Sequence, residues 1–145
     1  MIGLLQRVTQ ASVTINGDVT ASINTGLLVF IGIEKNDSES NAERLFEKII
    51  SYRVFADNKD KMNLSLQDIQ GGLLLVPQFT LPADTRKGLR PGFSNAAPPD
   101  LARQLFDFLV GNAREKYTIV ETGVFGADMQ VNLINSGPVT FWLQI

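Results

Sequence analysis

The sequence predicts one α+β domain over residues 1–145, with a mostly antiparallel sheet or barrel packed with two main helices. Three observations carry that prediction. Alternating apolar residues flank Asn16-Gly17, a pair suited to a hairpin turn because both positions favour positive φ. Two segments, around 40–50 and 101–110, change to helical spacing of their apolar residues. The remaining strand-like runs fall before, between and after them, in the order strands, helix, strand, loop, helix, strands.

Residues 1–9, MIGLLQRVT, read as a strand, and ASVTINGDVTAS follows with Val13 and Ile15 before the turn and Val19 after it. After Gly26 comes LLVFIGI, a continuous apolar run expected of a strand buried on both faces. Ser40 and Glu43 have the spacing of a capping box, opening a helix with Ala42, Leu45, Phe46, Ile49 and Ile50 inside. The polar stretch ADNKDKMNLSLQD predicts a turn or loop, and Gly71-Gly72 lead into a β run, GGLLLVPQFTL. Residues 82–99, rich in Gly, Pro and charge, form a loop long enough to suggest function or disorder. A second helix is expected from Pro98-Pro99, with Leu101, Leu105, Phe106, Leu109 and Val110 inward and Gly111 near its end. YTIVETGVFG, ADMQVNLIN and PVTFWLQI read as three closing strands.

Composition removes several chemistries. The chain has no histidine and no cysteine, which excludes imidazole-based triads, Cys–His pairs, histidine-ligated zinc and disulfides. Any reaction must rest on hydroxyls, carboxylates, amides, backbone groups or the substrate. No metal-ligand cluster of recognisable spacing appears, so neither a metal nor another cofactor is expected. A net charge of −2 argues against holding nucleic acid through bulk electrostatics, leaving only a local basic patch, and DNA is not an expected partner. No apolar run approaches a membrane span and residues 1–30 lack a signal-peptide pattern, so no membrane association and a cytoplasmic location are expected.

Two segments invite a functional reading. In VPQFTLPADTRKGLRPGF, residues 76–93, Gln78 and Thr80 end an apolar strand where it opens into the long loop, a common place for site residues. Arg86, Lys87 and Arg90 form the densest positive cluster in the chain; short clusters of this kind are common on solvated loops, and phosphate binding is the alternative. In LINSGPVTFW, residues 133–142, Gly137 and Pro138 interrupt a strand-like run, although proline gives no N–H to a ladder. Only about 5–6% of X–Pro bonds in folded proteins are cis, so the residues alone favour a trans proline at a strand start or edge.

QFTL at 78–81, followed by ADTRKGLRPGF, together with NSGPVT at 135–140, resembles the paired signature of the D-aminoacyl-tRNA deacylases. MIGLLQRVTQASVTING, GLLVFIGIEKND, KMNLSL, TGVFGADMQVNLIN and FWLQI extend the likeness in order, over essentially the whole chain. The resemblance implies a homodimeric hydrolase that cleaves the ester between tRNA and a D-amino acid, or glycine, in translation quality control. It implies a cis Gly137-Pro138 bond on a loop that enters the partner's site, where main-chain carbonyls admit D and exclude L residues. It also implies a catalytic segment of Gln78, Phe79 and Thr80. Arg7, Phe125 and Met129 match positions around the substrate, although plain strand packing accounts equally for Phe125 and Met129. Arg86, Lys87 and Arg90 become candidates for gripping the tRNA acceptor end.

A lone threonine without a base is a poor nucleophile. An activated ester needs less help, so positioning, an oxyanion site of backbone N–H groups near Gln78 to Thr80, and assistance by the ribose 2′-hydroxyl are expected to suffice. Two departures stand out: Pro77 where the family usually has serine, and Gly92 where it often has serine after Arg-Pro. Pro77 removes a hydroxyl and an N–H, which keeps open a catalytically weakened protein that binds the tRNA acceptor end. A small-molecule hydrolase or ligand-binding dimer of similar architecture is a third alternative.

Overall fold

The computed structural model describes residues 1–145. Eight strands and three helices run β1 (Ile2–Ile15), β2 (Asp18–Ile23), β3 (Gly26–Gly32), α1 (Glu39–Ser51), β4 (Phe55–Ala56), β5 (Met62–Leu64), α2 (Leu66–Ile69), β6 (Gly72–Pro77), α3 (Pro99–Lys116), β7 (Val120–Thr122) and β8 (Gln130–Gln144). The main sheet has the order β2-β1-β3-β6-β7, with β8 also paired to β1. Pairing is antiparallel for β1 with β2, β3 and β8, and parallel for β3-β6 and β6-β7. The fold is therefore α+β with a nearly closed, mostly antiparallel sheet, as the sequence predicts.

The expected hairpin turns at Asn16 and Gly17, both at positive φ. β3 is buried on both faces because the sheet carries two cores. Leu27, Val29 and Ile31 face a cluster shared with the inner stripes of α1 and α3. Leu28 faces a smaller cluster with Val8, Val13, Ile23, Leu74 and Val76, over which Met129, just before β8, and Val131 and Leu133, at its start, fold.

Five local predictions need correction. Helix α1 is capped two residues earlier than the Ser40–Glu43 spacing suggests: the N–H and hydroxyl of Ser38 both donate to Asn41 Oδ1, at 3.0 and 2.7 Å. Helix α3 passes through Gly111, which is exposed and tolerated because the inward stripe continues to Ala113. The polar 56–68 stretch contains part of the short β4-β5 hairpin and then α2, whose cap Ser65 is held by Asp68. Finally, the last two predicted strands are one: β8 pairs with β1 on both sides of Gly137-Pro138. Likewise residues 1–9 and the run through Ile15 form the single strand β1. No helix is long and apolar enough to cross a membrane.

Candidate active site

Strand β6 delivers the QFT segment to the sheet's end. Gln78 N–H donates to Ile31 O at 2.7 Å, which extends the β3 pairing by one residue. The chain then turns, with Leu81 N–H donating to Gln78 O and Ala83 N–H to Thr80 O. Gly32 allows that turn to lie against β3, since a Cβ there would come within 2.7 Å of Leu81 Cβ and 2.9 Å of Pro82 Cδ. The result is an exposed Phe79-Thr80 corner whose two N–H groups donate to nothing in the protein. Two consecutive free donors at a turn make a local anion-accepting concavity.

The Thr80 hydroxyl has one partner, the Gln78 side-chain amide, which donates to Oγ1 at 2.7 Å. An amide donor takes up a lone pair and removes no proton, so nothing here activates Thr80 as a nucleophile. Pro77 withholds an N–H, but at a position with no remaining ladder partner. Alternate N–H groups of a strand face opposite neighbours. Gln78 faces β3, so the Pro77 nitrogen faces β7, whose pairing ends at Leu75–Thr122.

Beside this corner lies a pocket of about 820 Å³ walled mainly by apolar groups, including Val76, Phe79, Phe93, Phe125, Met129 and Val131. Gln78 and Phe79 line it together with Phe125 and Met129, which brings four of the predicted site residues into one cavity. Phe79 packs against Phe93 with ring centroids 5.4 Å apart. Phe125 leans on Phe106 at 6.4 Å on one side and carries the Arg103 guanidinium at 4.8 Å.

Arg7, Gly137 and Pro138 form a second cluster elsewhere. Gln6 pairs with Thr140 and Val8 with Asn135, so residues 136–139 bulge outward opposite Arg7 alone. Arg7 Nε donates to Ser136 O at 2.9 Å, and its Nη1 to Val54 O at 2.6 Å. The Gly137-Pro138 peptide is cis, and both residues are exposed. Along β8, Gly137 lies six residue steps beyond Val131, at the pocket; that is about 20 Å of strand path. Within one chain the two clusters therefore do not share a cavity.

Asn135 is not among the site residues that the sequence singles out. Its Nδ2 donates to Gln6 Oε1 at 3.0 Å, to Thr140 Oγ1 at 2.9 Å and to Val139 O at 3.2 Å, while its Oδ1 accepts from Val139 N–H at 2.7 Å. An Asx side chain two residues before a Gly-Pro pair was the available signal, since such side chains often close turns on their own backbone. Arg103 was missed as well, because nothing in the sequence links a helix position to a distant aromatic ring.

The basic loop is built as a closed finger. Asp84 and Gly92 exchange two backbone hydrogen bonds at its base, at 2.7 and 2.9 Å. Arg86 forms a bidentate pair with Asp84, at 2.9 and 2.8 Å. That pairing, with the Arg86 N–H, holds the Asp84 carboxyl well below the usual carboxylate range. Lys87 and Arg90 stay exposed and unpaired.

A family model described as D-Tyr-tRNA(Tyr) deacylase matches residues 4–144. A Nitrosococcus oceani protein named D-aminoacyl-tRNA deacylase is 59% identical over 145 residues, 100% of this chain and 94% of that protein. A Pseudomonas putida protein of the same name is 57% identical over 145 residues, covering 100% of both. Among solved structures, "c-Myc DNA Unwinding Element Binding Protein" matches with a TM-score of 0.96 at 37% identity, over 100% of this chain and 99% of that one. A "probable eukaryotic D-amino acid tRNA deacylase" matches with a TM-score of 0.86 at 18% identity, over 99% and 98%, a likeness of fold.

Proposed function

The chain belongs to the D-Tyr-tRNA(Tyr) deacylase family, and we propose that it hydrolyses the ester joining a D-amino acid, or glycine, to tRNA and spares L-aminoacyl-tRNA. It is an ester hydrolase of the D-aminoacyl-tRNA deacylase type. The observation that carries the mechanism is the Phe79-Thr80 corner, where two free N–H groups adjoin a hydroxyl that lacks a base.

In this mechanism water attacks the ester carbonyl and the carbonyl oxygen takes the negative charge, held by the N–H groups of Phe79 and Thr80. The ribose 2′-hydroxyl accepts the proton of water and passes its own to the departing 3′-oxygen. A C–O bond to water forms, the C–O3′ bond breaks, and no protein group changes protonation. Thr80 orients the water while Gln78 fixes the threonine rotamer. The apolar pocket beside them suits the terminal adenosine that all substrates share, with Phe125 and Met129 in its wall.

Chirality is read by the Gly137-Pro138 bulge of a second copy. Several observations support that arrangement. The bulge is exposed and braced by Arg7 and Asn135, yet lies on a separate surface from its own chain's pocket. Strand β8 is 15 residues long, pairs only with β1, and exposes Ile134 and Trp142 to about half of their full area, at 53% and 52%. A long unpaired edge with apolar side chains is a ready template for pairing with another chain. A selector built from main chain accepts many D side chains because it senses only the groups common to all of them. The basic finger ends beside the Phe79–Phe93 contact, where Lys87 and Arg90, and Arg86 once drawn from Asp84, would meet acceptor-end phosphates.

The test is a deacylation time course on matched D-Tyr-tRNA and L-Tyr-tRNA without added metal, repeated with Gly-tRNA. Loss of the D and glycyl esters with survival of the L ester is expected. Survival of every ester, with tRNA still bound, would instead favour the catalytically weakened tRNA binder that Pro77 suggests.

A further inference from the structure

We propose that Arg103 is a substrate-positioning residue that binds the phosphodiester on the 5′ side of the terminal nucleotide in the apolar pocket. The inference rests on the adenosine placement above and extends it to the neighbouring charge. The pocket lining contains no lysine or arginine, and its one charged side chain is Asp128. A nucleotide entering it brings a phosphate that needs a cation at the rim.

Arg103 supplies one. It lies on α3 next to the lining residue Ala102, with its guanidinium 4.8 Å above the Phe125 ring. Phe125 is a wall of the pocket, held from behind by Phe106. Stacking leaves the N–H groups of a guanidinium pointing outward in its own plane, where they can grip two phosphate oxygens at once. Gly126, at φ +80°, lies beside the guanidinium, where even a Cβ would meet Arg103 Nη2 only at ordinary contact distance, 3.6 Å. The charge is also unspent. The ion pairs of the molecule belong to Met1 and Arg86, and the acidic neighbours on α3, Asp100 and Asp107, do not pair with Arg103. An arginine fixed over a pocket wall, with no carboxylate partner, suits an incoming anion better than it suits the fold.

Binding of adenosine and of adenosine 5′-monophosphate, followed by NMR titration, reads this directly, because the two ligands differ only in the phosphate. Wild-type protein should bind the monophosphate about tenfold more tightly, and Arg103→Gln should remove that preference. Arg103→Lys, which keeps the charge but loses the planar fork, should restore part of it. On D-Tyr-tRNA, Arg103→Gln should raise KM more than it lowers kcat and reduce the salt dependence of binding by about 0.7 in log–log slope, the value for one phosphate of a single strand.

Equal weakening for adenosine and its monophosphate would overturn the proposal and reduce Arg103 to a prop for Phe125. A wild-type protein with no preference for the monophosphate would overturn it too. The nucleotide titration needs no turnover, so an inactive protein that still prefers the monophosphate would sink the hydrolase function and leave Arg103 in its role. A protein that binds neither nucleoside would sink the pocket assignment on which both stand.

Discussion

Replacing Gly137 with alanine should destabilise the protein and relax its chiral selection, for reasons that can be sized. Gly137 has φ +135°, a conformation L side chains rarely adopt, and forcing one there costs about 1–3 kcal/mol. The new Cβ would also lie 2.7 Å from Val139 Cγ2 and 2.9 Å from Arg7 Nη2. Val139 is 6% exposed and packed in the main core, so it has little room to rotate away. Arg7 is pinned through Nε and Nη1, so its retreat forfeits a hydrogen bond worth about 0.5–1.5 kcal/mol. Together these give a loss of about 2–4 kcal/mol. At about 2–4 °C per kcal/mol for a chain of this size, Tm should fall by roughly 5–15 °C. Urea denaturation measures the loss, and paired D- and L-Tyr-tRNA assays measure the selectivity. A variant within about 1 kcal/mol of wild type, with undiminished preference for the D ester, would refute the claim that this bulge needs glycine. Gly111→Ala is the control: on the open face of α3 nothing lies within 4 Å of its Cβ, so the same substitution should stabilise by about 0.5–1 kcal/mol.

Thr80→Ala should lower kcat by less than about 100-fold, against the roughly 10⁶-fold expected when a true nucleophile is deleted; complete loss with intact tRNA binding would establish a covalent mechanism. Pro77→Ser should raise kcat by less than about tenfold, because the nitrogen at that position faces β7; a gain of about 10²-fold would mean that an oxyanion donor is missing there. The 84–92 finger should loosen in acid. The Asp84 carboxyl is held well below its usual value of 3.8 by Arg86, so its contribution is complete above about pH 4 and fades as pH falls toward the lower folded value. Amide exchange at Gly92 should accelerate over that window, and Asp84→Asn should abolish the dependence.

The large elements were readable because single local rules governed them. Asn16-Gly17 fixed a hairpin, the 3.6-residue stripes fixed two helices, and the unbroken apolar run of β3 reported burial by two cores. Boundaries failed where two local solutions competed: Ser38 with Asn41 and Ser40 with Glu43 both have capping-box spacing, and the backbone takes the first. Gly137-Pro138 looked like a break between strands because the sequence shows the missing ladder donor but not the partner. β1 runs past the bulge and resumes pairing at Gln6–Thr140. Within the candidate site, Gln78 and Thr80 were visible as polar groups ending an apolar strand. The free N–H groups of Phe79 and Thr80, the fourfold bonding of Asn135 and the stack of Arg103 on Phe125 depend on contacts distant in sequence, or on backbone direction, which composition and spacing do not encode.

A chain without imidazole or thiol must distribute its chemistry, and here the parts fall into two groups. The free amides, the Thr80 hydroxyl and the apolar pocket gather at the end of β6, whereas the exposed bulge, braced by Arg7 and Asn135, projects from β8. On the proposed function each copy is half of two sites. Two-fold symmetry then has a definite consequence: if one bulge serves the partner's pocket, the reciprocal contact follows, and a dimer holds two complete sites while a monomer holds none. On that proposal the heavy bracing of the bulge has a purpose, since its precision would be used in another subunit. Bonds to Ser136, Val54, Gln6, Val139 and Thr140 fix it before any partner arrives, so association need not supply the ordering. Weakening the brace would then impair the partner's chemistry and leave the donor's own pocket intact. Mixed dimers expose this: one subunit carrying Arg7→Ala and the other Thr80→Ala should retain one site with both defects and one with neither, and so about half of the wild-type activity.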